Sequence, residues 1–153
     1  MDELSTVRHV HASAVRALAD RLIEASEATT AIQAIYSAAY VSDLITKSVH
    51  VAQLNGDIVG TCAWNPSDDR GLAARISALF VAPLFQGNGI GRQLIAHSEQ
   101  DASANGFDRF TAIVPVSIVP LFEEMGYVTA SYGTSRDVVP ETAVQVAFLK
   151  KPS

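Results

Sequence analysis

The chain has 153 residues, 48% apolar and 18% charged, with a net charge of −5, so it reads as one globular domain over 1–153 rather than a disordered or multi-domain chain. A chain this long can bury about 70% of the surface its unfolded form exposes, enough for a full core. The acidic balance, with no Lys/Arg cluster beyond Lys150-Lys151, argues against a nucleic-acid partner, and no apolar run is long enough to span a membrane.

The start, Met1-Asp2-Glu3, is acidic and lacks a signal-peptide apolar block, so a cytoplasmic protein is expected. Thr6-Val7-Arg8-His9-Val10 reads as a short first strand. Ser13 then caps a helix whose Val15, Leu18, Ala19 and Leu22 recur at i, i+3, i+4 and i+7. A second helix is expected from about Thr30, where Thr30-Ala31-Ile32-Gln33 fits a capping box, with Ile32, Ile35, Tyr36 and Ala39 on its apolar face. Two readings of Tyr36 and Tyr40 stand: contact with a bound ligand, or packing in the core for Tyr36 and a surface place for Tyr40. Lys47 to Leu54 reads as a strand with Val49 and Val51 inward, Asn55-Gly56 as a two-residue hairpin turn, and Ile58 to Trp64 as the partner strand. Asn65 to Gly71 is dense in turn formers.

A strand follows from Arg75, with Ile76, Ala78, Phe80 and Ala82 on one face and Leu79 and Val81 on the other, closed by Pro83. From about Gly89 the pattern becomes helical: Ile90 and Leu94 are one turn apart, Ile95 and Ala102 widen the stripe, and Asn105-Gly106 ends it. Phe110 to Val114 is the next strand. A short helix runs from about Ser117 to Met125, with Ser117 as N-cap, Pro120 in its first turn and Gly126 as the stop. Tyr127 to Tyr132 and Ala143 to Leu149 are the last strands. The order βααβββαβαββ, with no repeat or linker, argues for an α+β fold around a mixed, mostly antiparallel sheet flanked by helices.

Gly87, Gly89 and Gly91 sit between the strand and the helix, where N–H groups not yet bonded within the helix and the helix dipole favour a phosphate or pyrophosphate. Arg92 adds a charged donor at the edge. The loop is not a P-loop, because Arg92-Gln93 stands where Lys-Ser/Thr is needed. Nor is it a dinucleotide fingerprint, because Arg92 holds the third glycine position and the preceding strands form a hairpin.

Gln86-Gly87-Asn88-Gly89-Ile90-Gly91 instead resembles the acyl-CoA loop, Gln/Arg-x-x-Gly-x-Gly/Ala, of the GCN5-related N-acetyltransferases. Leu79-Phe80-Val81-Ala82-Pro83 resembles that family's fourth strand, and Ser117 to Tyr127 its later Asn-Ala-x-Pro-Phe-Tyr-Glu-x-x-Gly-Phe segment. The resemblance implies acetyl-CoA as acyl donor, a small-molecule or peptide amine as acceptor, and pantetheine lying between two splayed strands. It implies a cofactor site of Leu79, Phe80, Val81, Gln86, Gly87, Asn88, Gly89, Ile90, Gly91, Arg92 and Ser117. Backbone N–H groups near Phe80 and Val81 would meet the developing oxyanion. A homodimer is compatible with it. The acidic net charge mildly favours a cationic acceptor.

The sequence departs from the family at Phe122, which holds the position of a Tyr that often meets the leaving thiolate. A phenyl ring donates no proton, so water, Tyr127 or Tyr132 would have to serve, or the domain binds acyl-CoA without turnover. No base is assigned: Arg75 stands where a Glu is frequent, and His50, of the residue type that most often serves as a base, reads as a satisfied or exposed strand residue. His97, Glu123 and Glu124 read as solvated helix faces. Cys62, the single cysteine, reads as a buried thiol, and no Ser–His–Asp order or metal spacing occurs.

Overall fold

The computed structural model describes residues 9–12, 25–37, 39, 47–54, 56–67, 73–81, 89–139 and 142–152. After a helical turn at 9–12 come α1 (Ala25–Ile35), the strands β1 (Ser48–Leu54), β2 (Asp57–Pro66) and β3 (Ala74–Val81), and α2 (Ile90–Ala104). Then follow β4 (Phe110–Pro115), a 3-10 turn (Val116–Ile118), α3 (Val119–Glu124), β5 (Val128–Val139) and β6 (Thr142–Lys151). Among the described residues six strands form one sheet in the order β1-β2-β3-β4-β6-β5. Every neighbouring pair is antiparallel except β3 and β4, which run parallel with α2 as their crossover. This is the α+β, mixed and mostly antiparallel architecture that the order of elements predicts.

Leu54 pairs with Asp57 and Gly56 has a positive φ, 89°, as the expected two-residue turn requires; Asn55 lies outside the described residues. Helix α2 ends where Asn105-Gly106 requires, Gly106 having φ 96° and its N–H donating to Ser103 O.

The helix-side core joins Leu94, Ile95 and Ala102 of α2 to Trp64, Ile76, Ala112 and Leu149 of four strands. On the other face Ile35 of α1 packs with Val144 and Val146, against which Phe80, Ile113 and Phe148 also lie. Gly60 on β2 lets α2 approach: a Cβ there would lie 3.0 Å from Leu94 Cδ1 and 3.2 Å from Phe80 O. The sequence reading did not single it out.

Several expectations need correction. His9 and Val10, the end of the expected first strand, are helical; Thr6 to Arg8 and Ser13 lie outside the described residues. Val10, His11 and Ala12 are all buried in succession, which a turn set against the sheet allows and a strand with one solvated face does not. Thr30 is inside α1, not at its start; a Thr-x-x-Gln match is a short signal, and the Ala- and Glu-containing residues before it continue the helix. Tyr36 falls just past α1 and is 47% exposed instead of in the core, while Tyr40 lies outside the described residues. On β1 the side facing α2 carries His50 and Ala52, and Val49 and Val51 are half-buried on the other side.

The central strand departs most usefully. Phe80 pairs with Thr61 and Ser77 with Ala63, so Ala78 and Leu79 together oppose Cys62 in a β-bulge. A bulge shifts the alternation by one. Ile76 faces the α2 core, but beyond the bulge Leu79 and Val81 face it, and Phe80 turns to the opposite cluster. Strict alternation from Ile76 to Phe80 therefore fails, because an extra residue cannot be read from the pattern alone.

Candidate active site

Strands β3 and β4 pair only over Ala74–Phe110, Arg75–Thr111 and Ile76–Ala112. Both then continue, β3 to Val81 and β4 to Pro115, while β4 stays paired with β6 along its whole length. The parallel strands thus diverge beyond Ile76 and leave a gap bordered by Leu79, Phe80 and Val81. The bulge sits at the start of this divergence and turns the strand away from its neighbour.

Helix α2 begins at the mouth of the gap. Gly89 caps it at φ 79° and ψ 3°, is exposed, and has nothing within 4 Å of where a Cβ would stand. A side chain there would be strained by the backbone rather than by crowding. The first intrahelical bond runs from Gln93 N–H to Gly89 O at 3.1 Å, so the N–H groups of Ile90, Gly91 and Arg92 precede it. No acidic residue occupies the first turn, which leaves the positive end of the dipole available to an anion. Gln86, Gly87 and Asn88, and Ala82 to Phe85 before them, lie outside the described residues.

Gly91 has a different task. A Cβ on it would lie 3.1 Å from Leu121 Cδ2, so its lack of a side chain lets α3 pack on the first turn of α2. Arg92, expected at the anion's edge, pairs with Glu124 of α3, both 57% exposed. Such an exposed pair contributes about 0–1 kcal/mol and gives way readily to a stronger anion.

The β4 side of the gap carries the 3-10 turn. Ser117 lies in it, exposed, and makes no capping bond; Ile118 is the N-cap of α3 and Pro120 lies in the first turn. The capping role expected of Ser117 is therefore not realised, because the 3-10 turn moves the helix start two residues on. Its hydroxyl stays exposed.

Phe122 is 1% exposed and meets Tyr127 edge-on, ring centroids 5.1 Å apart, in the helix-side core. The Tyr127 hydroxyl donates to Glu99 Oε2 at 2.7 Å, and Lys151 Nζ donates to both Glu99 oxygens at 3.1 and 3.2 Å. Burial, then the bond to Glu99, pushes the Tyr127 phenol well above its ordinary pKa. Tyr127 thus serves the core, not the gap. Tyr132 is 69% exposed on β5, the outermost strand, two places from β4.

His50 stands on β1, two strands from β3. Its Nε2 lies 3.2 Å from Asp101 Oδ2, which also accepts the Trp64 indole N–H at 2.7 Å. Those bonds, from Trp64 first and then His50, hold the Asp101 carboxyl below the usual range. His50 is a structural partner. His97, Glu123 and Glu124 are exposed, as expected. Cys62 is fully buried and its thiol is pushed up to about 12, chiefly by burial, so it is no nucleophile at neutral pH.

One residue near the gap gave no sequence signal. His11 is fully buried, its Nε2 2.6 Å from Thr61 Oγ1 and its ring stacked on Phe80 with centroids 4.1 Å apart. Burial and then the charge of Lys47 lower its pKa to about 3, so it is neutral at pH 7. A lone His between Val10 and Ala12 looks like any other in a sequence; only the bulge that turns Phe80 toward it reveals its place.

The profile of the acetyltransferase (GNAT) domain matches residues 15–146. The chain belongs to this family. GNAT enzymes transfer acetyl groups from acetyl-CoA, so the protein is an acetyltransferase with that donor. The GNAT fold is shared with a GCN5-related N-acetyltransferase from Rhodopseudomonas palustris at TM-score 0.81 and 19% identity, covering 99% of this chain and 90% of that one. It is shared with the PaiA N-acetyltransferase of Thermoplasma acidophilum, in complex with coenzyme A, at 0.76 and 12%, covering 99% and 93%. The putative acetyltransferase YncA of Salmonella typhimurium, with acetyl-CoA, superposes at 0.66 and 18%, covering 97% and 87%. No curated protein matches the sequence.

Proposed function

We propose that the protein is an N-acetyltransferase that moves the acetyl group of acetyl-CoA to the amine of a small molecule or peptide. The observation that carries this is the divergence of β3 and β4 with the uncompensated N-terminus of α2 at its mouth. In this reading Gln86, Gly87 and Asn88, with Gly89, Ile90, Gly91 and Arg92, hold the pyrophosphate. Leu79, Phe80 and Val81 border the pantetheine and present backbone N–H groups near Phe80 and Val81 to the thioester oxygen. Ser117 offers a hydroxyl from the far side. One chain supplies all these groups, so a homodimer is compatible with the activity without being needed for it. The reading places the protein in the cytoplasm; no helix among the described residues is long and apolar enough to cross a membrane.

The amine attacks as the free base. Its lone pair forms the N–C bond and the carbonyl pair moves to oxygen; the nitrogen, now positive, gives up a proton to water, and collapse breaks the C–S bond, the sulfur leaving with that pair as thiolate. At a pKa of about 3, His11 is too weak a base to take a proton from an ammonium group at neutral pH, so that proton goes to water. The thiolate takes its proton from water too, because Phe122 has none to give and the Tyr127 hydroxyl is held by Glu99. Proximity within the gap then supplies much of the acceleration, several of the roughly 7–11 kcal/mol that good positioning can yield. Release of CoA thiol with a panel of amines tests this. Turnover with at least one amine is expected. Tight CoA binding without release on any amine would make the protein an acyl-CoA-binding module instead, the reading that Phe122 in place of a phenol favours.

A further inference from the structure

The sheet face turned away from α2 carries a row of polar side chains in register across four strands. Asn65 of β2 pairs with Arg75 of β3, Arg75 with Thr111 of β4, and Thr111 with Lys150 of β6. Their neighbours Trp64, Ala74, Ile76, Ala112 and Leu149 enter the helix-side core, so the pleat sends the row to the opposite face. Three atoms of the row, Asn65 Oδ1, Arg75 Nε and Thr111 Oγ1, are buried without a hydrogen-bond partner, as is Ser77 Oγ two residues along β3. Folded proteins rarely leave such atoms unmet, because each has given up water for nothing. The ion pairs among the described residues join His50 to Asp101, Arg92 to Glu124 and Lys151 to Glu99; none engages Arg75 or Lys150.

Arg75, Thr111 and Lys150, with Ser67, line a cavity of about 260 Å³ whose other walls include Ile113 and Phe148. An apolar hollow with a few convergent polar groups is the usual form of a small-molecule site. Here those groups are two cations and hydroxyl donors, and no carboxylate is among the described residues that line the cavity. The register couple Arg75–Thr111 lies one step before the last paired couple, Ile76–Ala112, at the closed end of the β3–β4 gap. Leu79 to Val81, which border the gap, follow Arg75 along β3.

We propose that this cavity binds the carboxylate of the acetyl acceptor, so that the acceptor is an amine that also carries a carboxylate, as an amino acid does. The inference rests on the N-acetyltransferase reading for the word acceptor, but not for the anion site itself. The guanidinium offers a planar fork that matches a carboxylate, Lys150 adds a second charge, and the Thr111 hydroxyl donates to an oxygen the fork leaves over. The carboxylate takes no part in the transfer. The net charge of −5 points the other way, toward a cationic acceptor. Charges spread over a surface are screened within about 10 Å, whereas two cations lining one hollow act on a ligand at contact distance, so the local charge decides.

Matched pairs test the proposal: each common amino acid against its carboxamide, as acceptors in the thiol-release assay, on wild type, Arg75→Gln, Arg75→Lys and Thr111→Val. The acids are expected to exceed their amides by at least about tenfold in kcat/KM, the range of a charge-assisted hydrogen bond. Arg75→Gln should erase that preference through acceptor KM while the KM for acetyl-CoA stays put, and Arg75→Lys should keep part of it. Thr111→Val should weaken the preference by a smaller factor while leaving the unliganded protein no less stable, since its hydroxyl has no partner to lose. Amides equal to acids, or a preference that survives Arg75→Gln in folded protein, would overturn the proposal. Calorimetry separates it from the transfer reading, with N-acetyl amino acids and N-acetyl amino acid amides titrated into CoA-loaded protein. Should no amine turn over, tighter binding of the acids to wild type but not to Arg75→Gln still sustains the carboxylate site, and equal binding of acid and amide removes it.

Discussion

Lowering the pH from 7 to 5 is expected to cost the fold about 2 kcal/mol through His11 alone. In the native state its pKa lies at about 3, pressed down by burial and then by Lys47; in the unfolded chain it returns to about 6.5. The native pKa is thus the lower one. The stability contribution is fully present above pH 6.5 and declines as the unfolded chain takes up a proton that the native imidazole, fully buried against Thr61 and Phe80, refuses. Both pH values lie above the native pKa, so the loss is set by unfolded-state protonation, about 1.5 pH units at about 1.36 kcal/mol each. Asp101 is held low and loses its contribution only below the ordinary carboxylate range, and Cys62 titrates at about 12, so neither shares the window. The assay is urea unfolding at pH 7, 6 and 5 on wild type and His11→Gln. The variant starts lower, having lost packing on Phe80, but its stability should fall by about 2 kcal/mol less over the same interval. Equal slopes would refute the buried neutral imidazole and its contact with Phe80.

Gly89→Val should weaken CoA binding by more than about tenfold in calorimetry, because φ 79° there strains a β-branched residue at the phosphate-facing turn; unchanged affinity in folded protein would contradict the anion site. Ser117→Ala should leave stability within about 0.5 kcal/mol, since no cap is lost, and any effect should appear in CoA affinity; a drop in melting temperature would contradict the geometry of the turn. Phe122→Tyr should destabilise by about 1–3 kcal/mol in chemical unfolding, because the new hydroxyl enters a filled core beside Tyr127. A variant as stable as wild type and faster in kcat would instead put that ring beside the leaving sulfur.

Most of the architecture was legible because the signals that set it are local. The Asn55-Gly56 turn fixes the β1–β2 register, the Ile90, Leu94, Ile95 and Ala102 stripe fixes the buried side of α2, and Gly106 and Gly126 end helices at positive φ. What stayed hidden depends on pairing between distant segments. The bulge at Ala78-Leu79 exists only relative to Cys62 across the sheet, and with it go the direction of Phe80 and the role of His11. The row from Asn65 to Lys150 is assembled from four strands separated in sequence, so no window of residues contains it. Ser117 shows the opposite failure: its type suits a cap, but the chain spends those residues on a 3-10 turn first.

Hydrogen exchange with and without acetyl-CoA tests the central claim most directly, the claim that acyl-CoA lies in the β3–β4 gap against the first turn of α2. Added acetyl-CoA should slow exchange at the amides of Leu79 to Val81, at Gly89 to Arg92 and around Ser117, and leave β1 and the outer strand β5 unaffected. Binding that leaves Leu79 to Val81 and Gly89 to Arg92 exchanging as before would contradict the account, because the ligand would then lie elsewhere on the fold.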